Sequence, residues 1–222
     1  MGRIILTIAG SWSNPPDLKT DLETLFEGPD SELAEDFVFV GRRADSINNA
    51  DALAVRNHTS VLRAYAEFEG PGQRSWAQKG VTLALEAVAA GAVGIFVETS
   101  CKALTPHALS NFTANDRNSV FHFYVEVMGD AETFATEGMQ AFDLPEIKAY
   151  YRHDDRATAQ AVVFSMAAKM VCDGFKPAAE GVFRATESAP LYEVERVIAD
   201  TADDDPYTNP HGAWVLRRRL ED

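Results

Sequence analysis

The sequence predicts an α+β fold, with a mixed or mainly antiparallel sheet and three or four helices packed mostly on one face. Strand-like runs and hairpin signals outnumber helical runs and do not alternate regularly with them, which disfavours a parallel α/β sheet. The chain has 222 residues, of which 46% are hydrophobic, so it can bury a substantial core. We expect one domain over residues 1–222, with any subdivision near residues 100–118 and a tail over residues 202–222.

The first half of the chain is predicted to contain four strands and two main helices. Continuous apolar runs indicate buried strands. Apolar residues at helical spacing after Asp17, a helix-capping residue type, indicate a helix that ends before Gly28. The predicted strands are Arg3–Ala9, Phe37–Gly41, Ser60–Glu69 and Ala92–Thr99, and the predicted helices are Asp17–Phe26 and Trp76–Ala90, with a loop and short helix over Arg42–Asn57.

The second half is predicted to contain five strands and one long helix after a polar connection over Ser100–Asn118. Alternation of apolar and polar residues over Ser119–Met128 indicates a half-exposed strand, and Gly174 is expected to end the helix. The shared strand-then-helix order of Ser60–Thr99 and Ser119–Ala185 leaves two similar halves open. The predicted strands are Ser119–Met128, Glu146–Arg152, Val182–Ala185, Tyr192–Ile198 and Ala213–Leu216, and the helix is Asp155–Cys172, with Ala161, Phe164, Ala168 and Val171 on its apolar side.

The formal net charge of −14 disfavours some partners and favours others. A negative field repels nucleic-acid phosphates and anionic lipid headgroups, and it attracts basic proteins or cations. We therefore expect no nucleic-acid or membrane binding. The first apolar run is too short for a membrane span or a signal sequence, which favours a cytoplasmic protein. The basic run of residues 217–219 is expected to pair with acidic residues of the same chain or to stay solvated.

The cysteines and histidines lack the spacing of a metal site. Cys101 and Cys172 occur in unrelated contexts and are expected to be reduced, buried thiols. The histidines are His58, His107, His122, His153 and His211. They form no H-E-x-x-H motif, so we expect no metal and no cofactor. The chain also lacks a G-x-S-x-G motif and a complete phosphate-binding loop, which favours a non-catalytic protein over an enzyme.

One set of polar residues supports an alternative to a non-catalytic protein. His122, Tyr124 and Glu126 share one face of a predicted strand at period two, where acid–base chemistry is geometrically possible. A solvated sheet face is the interpretation that we favour for them. The alternative function is an enzyme or small-ligand receptor whose pocket is formed by Trp12, Glu98, His122 and Glu126.

The segment TEGMQAFDLPEIKAY is predicted to be a structural corner between two strands. Gly138 permits a backbone angle that other residues resist, and Pro145 cannot donate to the sheet where the next strand begins. Phe142 is expected to enter the core. Thr136 and Glu146 could bind a ligand, but the interpretation that we favour is that they cap local amides and lie at the surface.

Four segments carry a resemblance to a known family: AVGIFVETSCKALTP, FYVEVMG, TEGMQAFDLPEI and DDDPYTNPHGAWVL. The chain resembles, over most of residues 60–200, the bacterial family known as domain of unknown function 4261. That family has an aliphatic strand ending in Glu and a later Thr-x-Gly-aromatic-Leu-Pro-Glu type segment. This chain departs from the family pattern at Asp143, where the family commonly has Phe-Gly before the apolar-Pro-acid portion. The matching residues are Glu98, Thr136, Gly138, Met139, Phe142, Pro145 and Glu146. The family implies no reaction, but related small acidic bacterial domains accompany secreted toxins as immunity proteins.

These observations predict a non-catalytic protein-binding module. An acidic surface speeds association with a basic partner, and ion pairs across the contact supply specificity. The resemblance implies the sharpest form of this function, an immunity protein that neutralises a toxic effector. The expected partner is thus a basic protein or toxin, and the sequence does not indicate an oligomeric state.

Overall fold

The computed structural model describes residues 1–69, 73–152, 155–198 and 208–219. Within these residues the protein has an α+β fold with two mostly antiparallel sheets and six α-helices. This confirms the predicted fold class and adds a second sheet to the one expected. His153 and residues 202–207 and 220–222 of the predicted tail lie outside the described residues.

The first sheet is built from the N-terminal half of the chain. Its strands are β1 (Gly2–Gly10), β2 (Glu23–Glu27), β3 (Ser60–Phe68), β4 (Ala92–Val97) and β5 (Lys102–Leu104). They lie in the order β2-β3-β1-β4-β5, and every neighbouring pair is antiparallel. β1 pairs with β3 along its whole length, so it is the central strand that its continuous apolar run predicts.

The second sheet is built from the C-terminal half. Its strands are β6 (Glu126–Gly129), β7 (Thr133–Glu137), β8 (Glu146–Tyr150), β9 (Glu180–Phe183), β10 (Tyr192–Val197) and β11 (Ala213–Arg218). They lie in the order β6-β7-β8-β11-β10-β9. Only β8 and β11 run parallel among these neighbours, and the other pairs are antiparallel.

Helices cover both faces of the first sheet and the inner face of the second. They are α1 (Ser31–Arg43), α2 (Asn49–Arg56), α3 (Gln73–Ala89), α4 (Pro106–Leu109), α5 (Arg117–Tyr124) and α6 (Arg156–Asp173). α3 packs on β1, β3 and β4, whereas α1 and α2 lie on the opposite face and contact β5 and β4. α6 packs on β7 and β8 and also contacts α5.

Apolar side chains of the two sheets meet in one continuous core. Ile8 of β1, Phe121 of α5 and Ile147 of β8 are almost fully buried in the same cluster. A smaller cluster lies on the other face of the first sheet, beneath Phe37 of α1 and Val55 of α2. The division of the chain into one or two domains stays a prediction.

Two predictions for the segment before β3 are wrong. Asp17–Phe26 is not a helix, because Glu23–Glu27 pairs with β3 as an edge strand and sheet pairing outweighs a weak helical spacing. Phe37–Gly41 is not a strand but part of α1. Asp30 caps this helix by accepting hydrogen bonds from two amides of its first turn. The buried residues of α1 recur at helical spacing: Leu33, Ala34, Phe37, Val38 and Gly41.

The predicted strand Ser119–Met128 is wrong over most of its length. Its first part belongs to α5, which Asp116 caps by accepting a hydrogen bond from an amide of the first turn at 2.7 Å. α5 packs against both α3 and α6, so apolar residues are favoured on more than one side and its helical period is hidden. Only the last residues form β6. His122, Tyr124 and Glu126 therefore do not share one strand face.

Smaller differences concern α6, the polar connection and the thiols. α6 ends at Gly174 as predicted, with φ of 70°, but Phe164 on its predicted apolar side is 39% exposed. The connection Ser100–Asn118 contains β5 and α4. Cys101 is exposed and Cys172 half-buried, and both are free thiols, so their expected burial is wrong. The buried residues of α6 are Ala159, Val162, Val163, Met166, Ala167 and Met170.

The predicted structural corner is confirmed between β7 and β8. Gly138 has φ of 100°, and a Cβ atom there would lie 2.0 Å from the carbonyl oxygen of Tyr124 and 2.9 Å from Cβ of Ser100. The corner therefore needs glycine both for its backbone angle and for the close approach. The following 3₁₀ turn, Met139–Phe142, packs on β1 and α3, and Phe142 is buried as predicted.

A carboxyl group in the interior ties this corner to the segment that precedes the last strand. Glu146 is partly exposed as a residue, but its carboxyl group accepts hydrogen bonds from the Thr136 hydroxyl at 2.6 Å, the Met139 amide at 3.0 Å and the Asn209 side chain at 2.8 Å. Burial raises the pKa of Glu146 to about 7 despite these donors. Thr136 is buried and accepts from the Ile147 amide. Both residues cap local amides as predicted, but they do so inside the fold.

We expect Gly138→Ala to lower the free energy of unfolding by about 3 kcal/mol, because backbone strain adds to a clash with main chain. Gly174→Ala is the matched control, since Gly174 is also left-handed but has nothing within 4 Å of the added Cβ. It should cost about 1 kcal/mol from strain alone. Denaturant unfolding measures both values. Equal costs for the two variants would contradict the close approach at the corner.

Protein stability should fall as the pH rises from about 5 to about 8. The folded-state pKa of Glu146 lies above its ordinary value of 4.5, so its stabilising contribution is complete below pH 4.5 and is lost as the pH rises through about 7. Glu146→Gln should flatten this decline by up to about 3 kcal/mol. Glu193→Gln, at an exposed position of β10, should retain it. Urea unfolding across this pH range is the measurement, and identical slopes for all three proteins would rule the assignment out.

Candidate functional site

A groove lies where the outer edges of the two sheets approach each other. β5 is the last strand of the first sheet and β6 the first strand of the second, and within the described residues each pairs with a strand on one side only. Both strands and the end of α1 line a groove of about 400 Å³. We call it the edge groove. It brings the edges of two sheets to one surface of the molecule.

The lining of the edge groove is largely apolar. On β6, Val127 and Met128 are half-exposed, and Val127 also lines a second hollow beside Phe164 of α6. An open strand edge flanked by apolar side chains is suited to receive a further strand. The apolar lining residues of the edge groove include Val40, Ala103, Leu104, Val127 and Met128.

Lys102 holds the two sides of the edge groove together. Its ammonium group donates to the carbonyl oxygen of His122 at 2.7 Å and to that of Val125 at 3.3 Å. It also pairs with the carboxylate of Glu126 at 2.9 Å. Lys102 thus satisfies carbonyl groups at the end of α5 and links β5 to the beginning of β6. These contacts set the separation of the two strand edges.

Carboxylates gather at the Cys101 end of the edge groove. Glu126 and Glu137 stand directly opposite each other on β6 and β7, an unfavourable cross-strand pair. Burial raises the pKa of Glu137, and the Arg43 guanidinium opposes this shift while Glu126 adds to it. Although Cys101 is exposed as a residue, partial desolvation of its thiol raises its pKa, and the charges of Glu137 and Glu98 raise that pKa further. This end of the groove therefore favours a cation.

Two of the four sequence-predicted ligand residues lie at Lys102. Glu126 lines the edge groove and pairs with that lysine. His122 contributes its backbone carbonyl, while its ring packs against Phe121 and Phe164 at centroid distances of 5.3 and 5.6 Å. Burial, followed by the nearby ammonium group of Lys102, lowers the pKa of His122, so its ring favours the neutral form at neutral pH.

The other two predicted residues are held separately. The carboxylate of Glu98 accepts a hydrogen bond from the Thr7 hydroxyl at 2.7 Å and lies 3.9 Å from Arg63, while burial raises its pKa. Trp12 follows the end of β1, where its indole donates to the carbonyl of Ala90 at 2.7 Å. The structure thus brings His122 and Glu126 together and leaves Trp12 in a different environment.

Sequence reasoning singled out Glu126 but missed the other residues that line the edge groove. Arg43 lies at the end of a helix that was predicted as strand and loop, and Lys102 lies in a segment predicted as a polar connection. Val127 and Met128 were placed in a longer strand whose neighbours were not known. The only local signal is the short apolar stretch that follows Tyr124, and it does not show which strand edge stays open.

The edge groove contains one thiol, Cys101, whose surroundings lower its reactivity. Cys101 has a positive φ of 46° and an exposed position, but its raised pKa favours the unreactive thiol. Within the described part of the chain, no histidine ring is hydrogen-bonded to this cysteine. Over the same residues, no group of three or more His, Cys, Asp or Glu side chains could hold a metal ion.

Comparison of the chain with protein-family models, with curated protein sequences and with solved structures finds no match. The resemblance to domain of unknown function 4261 therefore stays a prediction. In the segments that the structure describes, no helix has the length and apolar character needed to cross a membrane. The geometry of the site is thus the basis for a functional conclusion.

Because nearby carboxylates raise the pKa of Cys101, removing one of their charges should make the Cys101 thiol more reactive. In a Cys172→Ser background, Glu137→Gln removes a negative charge near the sulfur, so alkylation of Cys101 by iodoacetamide should begin at lower pH. Glu35→Gln is the control, because Glu35 is exposed and pairs with Arg56 on the helices α1 and α2. Alkylation rates across a pH series provide the measurement. Unchanged profiles for Glu137→Gln would contradict the clustering.

Proposed function

We propose that this protein is a non-catalytic protein-binding module that captures an extended segment of a partner in the edge groove. The observation that carries the proposal is the pair of open strand edges, β5 and β6, that line one apolar groove. An added strand gains main-chain hydrogen bonds from such an edge, and alternate side chains of the added strand enter the groove for specificity.

The charges around the edge groove support a basic and apolar partner segment. The apolar stretch of Val127 and Met128 suits aliphatic side chains. Glu126 and Glu137 stand opposite each other, and one nearby cation each, Lys102 for Glu126 and Arg43 for Glu137, offsets part of their mutual repulsion. A lysine or arginine side chain of the partner would relieve this repulsion. The net charge of −14 adds long-range attraction for the same kind of partner.

The narrower form of the proposal is an immunity protein that binds a basic toxic effector. Its support is the acidic character of the chain together with the predicted resemblance to small acidic bacterial domains. The protein encoded beside this chain is the first candidate partner to test. The alternative of a small-ligand site formed by Trp12, Glu98, His122 and Glu126 has less support, because Trp12 and Glu98 are engaged in separate contacts.

Short peptides test the proposal directly. Peptides of about eight residues in which valine alternates with lysine, or with glutamate, match the length of an ordinary strand. Fluorescence anisotropy should show at least about tenfold tighter binding of the lysine peptide, which corresponds to about 1.4 kcal/mol. Equal affinity for the two peptides would contradict the proposed charge preference.

Two matched variants locate the binding site for the lysine peptide. Val127→Lys places a cation in the edge groove and should weaken binding at least about tenfold through repulsion and lost apolar contact. Leu25→Lys is the control, since Leu25 is 57% exposed on β2, the edge strand at the other end of the first sheet. It should leave the affinity unchanged. The proposal fails when Leu25→Lys weakens binding as much as Val127→Lys does.

The association rate with a basic partner protein should fall as salt is added. The Debye length shrinks from about 30 Å at 0.01 M salt to about 10 Å at 0.1 M, which removes long-range attraction. Dissociation should change less, because the short-range contacts in the groove are screened less. Stopped-flow mixing with the neighbouring gene product measures both rates. An association rate that does not change with salt concentration would contradict electrostatic capture of the partner.

A further inference from the structure

Basic side chains gather on the second sheet although the whole chain is acidic. Tyr150 ends β8 and Arg218 ends β11, and these two strands are parallel, so their carboxyl ends lie side by side. A hollow of about 320 Å³ is lined there by Arg152, Arg217 and Arg218 together with Tyr150. This hollow belongs to a different part of the molecule from the edge groove and shares no lining residue with it.

A second hollow adjoins the first. It has a volume of about 440 Å³ and shares Arg218 with its neighbour, while Arg184 and Arg219 add two further guanidinium groups. Ser188 contributes a hydroxyl group to the same lining. We call the two together the arginine hollows. Because the two hollows meet at Arg218, they form one basic site that is longer than a single phosphate group.

Tyr150 is the aromatic centre of the first hollow. Arg217 lies 5.0 Å and Lys148 5.2 Å from the centroid of its ring, so two cations contact one tyrosine. Tyr150 is 41% exposed. An exposed aromatic ring beside cations can contact the ring of an anionic ligand while the cations bind its charge.

Within the described residues, acidic side chains pair with two of the five arginines of the hollows. Asp155 pairs with Arg218, and Glu195 lies 3.7 Å from Arg217, with both of the latter side chains more than half exposed. The exposed pair of Arg217 and Glu195 is weak and can exchange with another anion. Arg152, Arg184 and Arg219 have no ion-pair partner among the described residues, so they remain as cationic groups for a ligand.

We propose that the arginine hollows bind a linear oligophosphate, such as the phosphate chain of a nucleoside triphosphate or inorganic tripolyphosphate. Guanidinium groups bind phosphate oxygens in pairs, and five of them line the two hollows. A short ligand interacts mainly with charges within a Debye length of about 10 Å, so the net charge of the chain does not prevent its binding. A long nucleic acid would meet the acidic remainder of the surface.

Calorimetric titration at constant ionic strength tests this assignment with three probes: inorganic phosphate, tripolyphosphate and ATP. Tripolyphosphate should bind at least about tenfold more tightly than phosphate, because it reaches arginines of both hollows. If ATP binds more tightly than tripolyphosphate, and Tyr150→Leu removes this difference, the preferred ligand is a nucleotide. Equal binding of ATP and tripolyphosphate would identify the phosphate chain alone. Both results support the proposal.

Two variants and one control show where the probes bind. Arg217→Gln and Arg152→Gln should each weaken tripolyphosphate binding by about tenfold. Arg56→Gln is the matched control, because Arg56 is an exposed arginine of α2 that pairs with Glu35 far from the second sheet. It should leave the affinity unchanged. Absence of binding by tripolyphosphate and ATP at millimolar concentration, or equal weakening in Arg56→Gln, would overturn the proposal.

Discussion

The approach of Gly138 to the main chain of Tyr124 is the constraint on which the arrangement of the two sheets depends. A Cβ atom at Gly138 would lie 2.0 Å from the Tyr124 carbonyl oxygen, so only glycine lets the corner sit there. The corner then carries the turn Met139–Phe142 onto β1 and α3 of the first sheet. Glu146 of the second sheet accepts a hydrogen bond from the Met139 amide of that turn, and Thr136 and Asn209 hold its carboxyl group in place. The position of β6, and with it the edge groove, follows from this contact.

Open strand edges expose a protein to unwanted pairing, and the edge groove shows how this chain limits the exposure. β5 has only three residues, and Lys102 on it is engaged by α5 and Glu126. A short edge strand with a charged residue discourages pairing with arbitrary chains. The opposed carboxylates of Glu126 and Glu137 add a preference for basic segments. The groove can therefore remain open while accepting a narrow class of partners.

Elements with one consistent local signal were predictable, whereas elements defined by distant neighbours were not. The run Arg3–Ala9 and the stop at Gly174 carry their own signals, and the structure contains both. α5 was mistaken for a strand because it packs against both α3 and α6, which placed apolar residues next to each other in sequence. Part of α1 was mistaken for a strand because the exposed Phe39 continues the apolar run of the buried Phe37 and Val38. The edge groove was not predictable, since no local pattern shows that β5 and β6 lie at the edges of two different sheets. Glu126 alone was both predicted as a ligand residue and found in the groove lining.

Amide hydrogen exchange of β6 tests the central claim most directly, because it reports the strand edge itself. Alternate amides of an edge strand point away from the sheet and form hydrogen bonds only when another strand is added. With the lysine–valine peptide bound, we expect at least about tenfold slower exchange at alternate positions of Glu126–Gly129, with β2 at the other edge unchanged. Slower exchange confined to β2, or none in β6 at saturating peptide, would contradict strand addition in the edge groove.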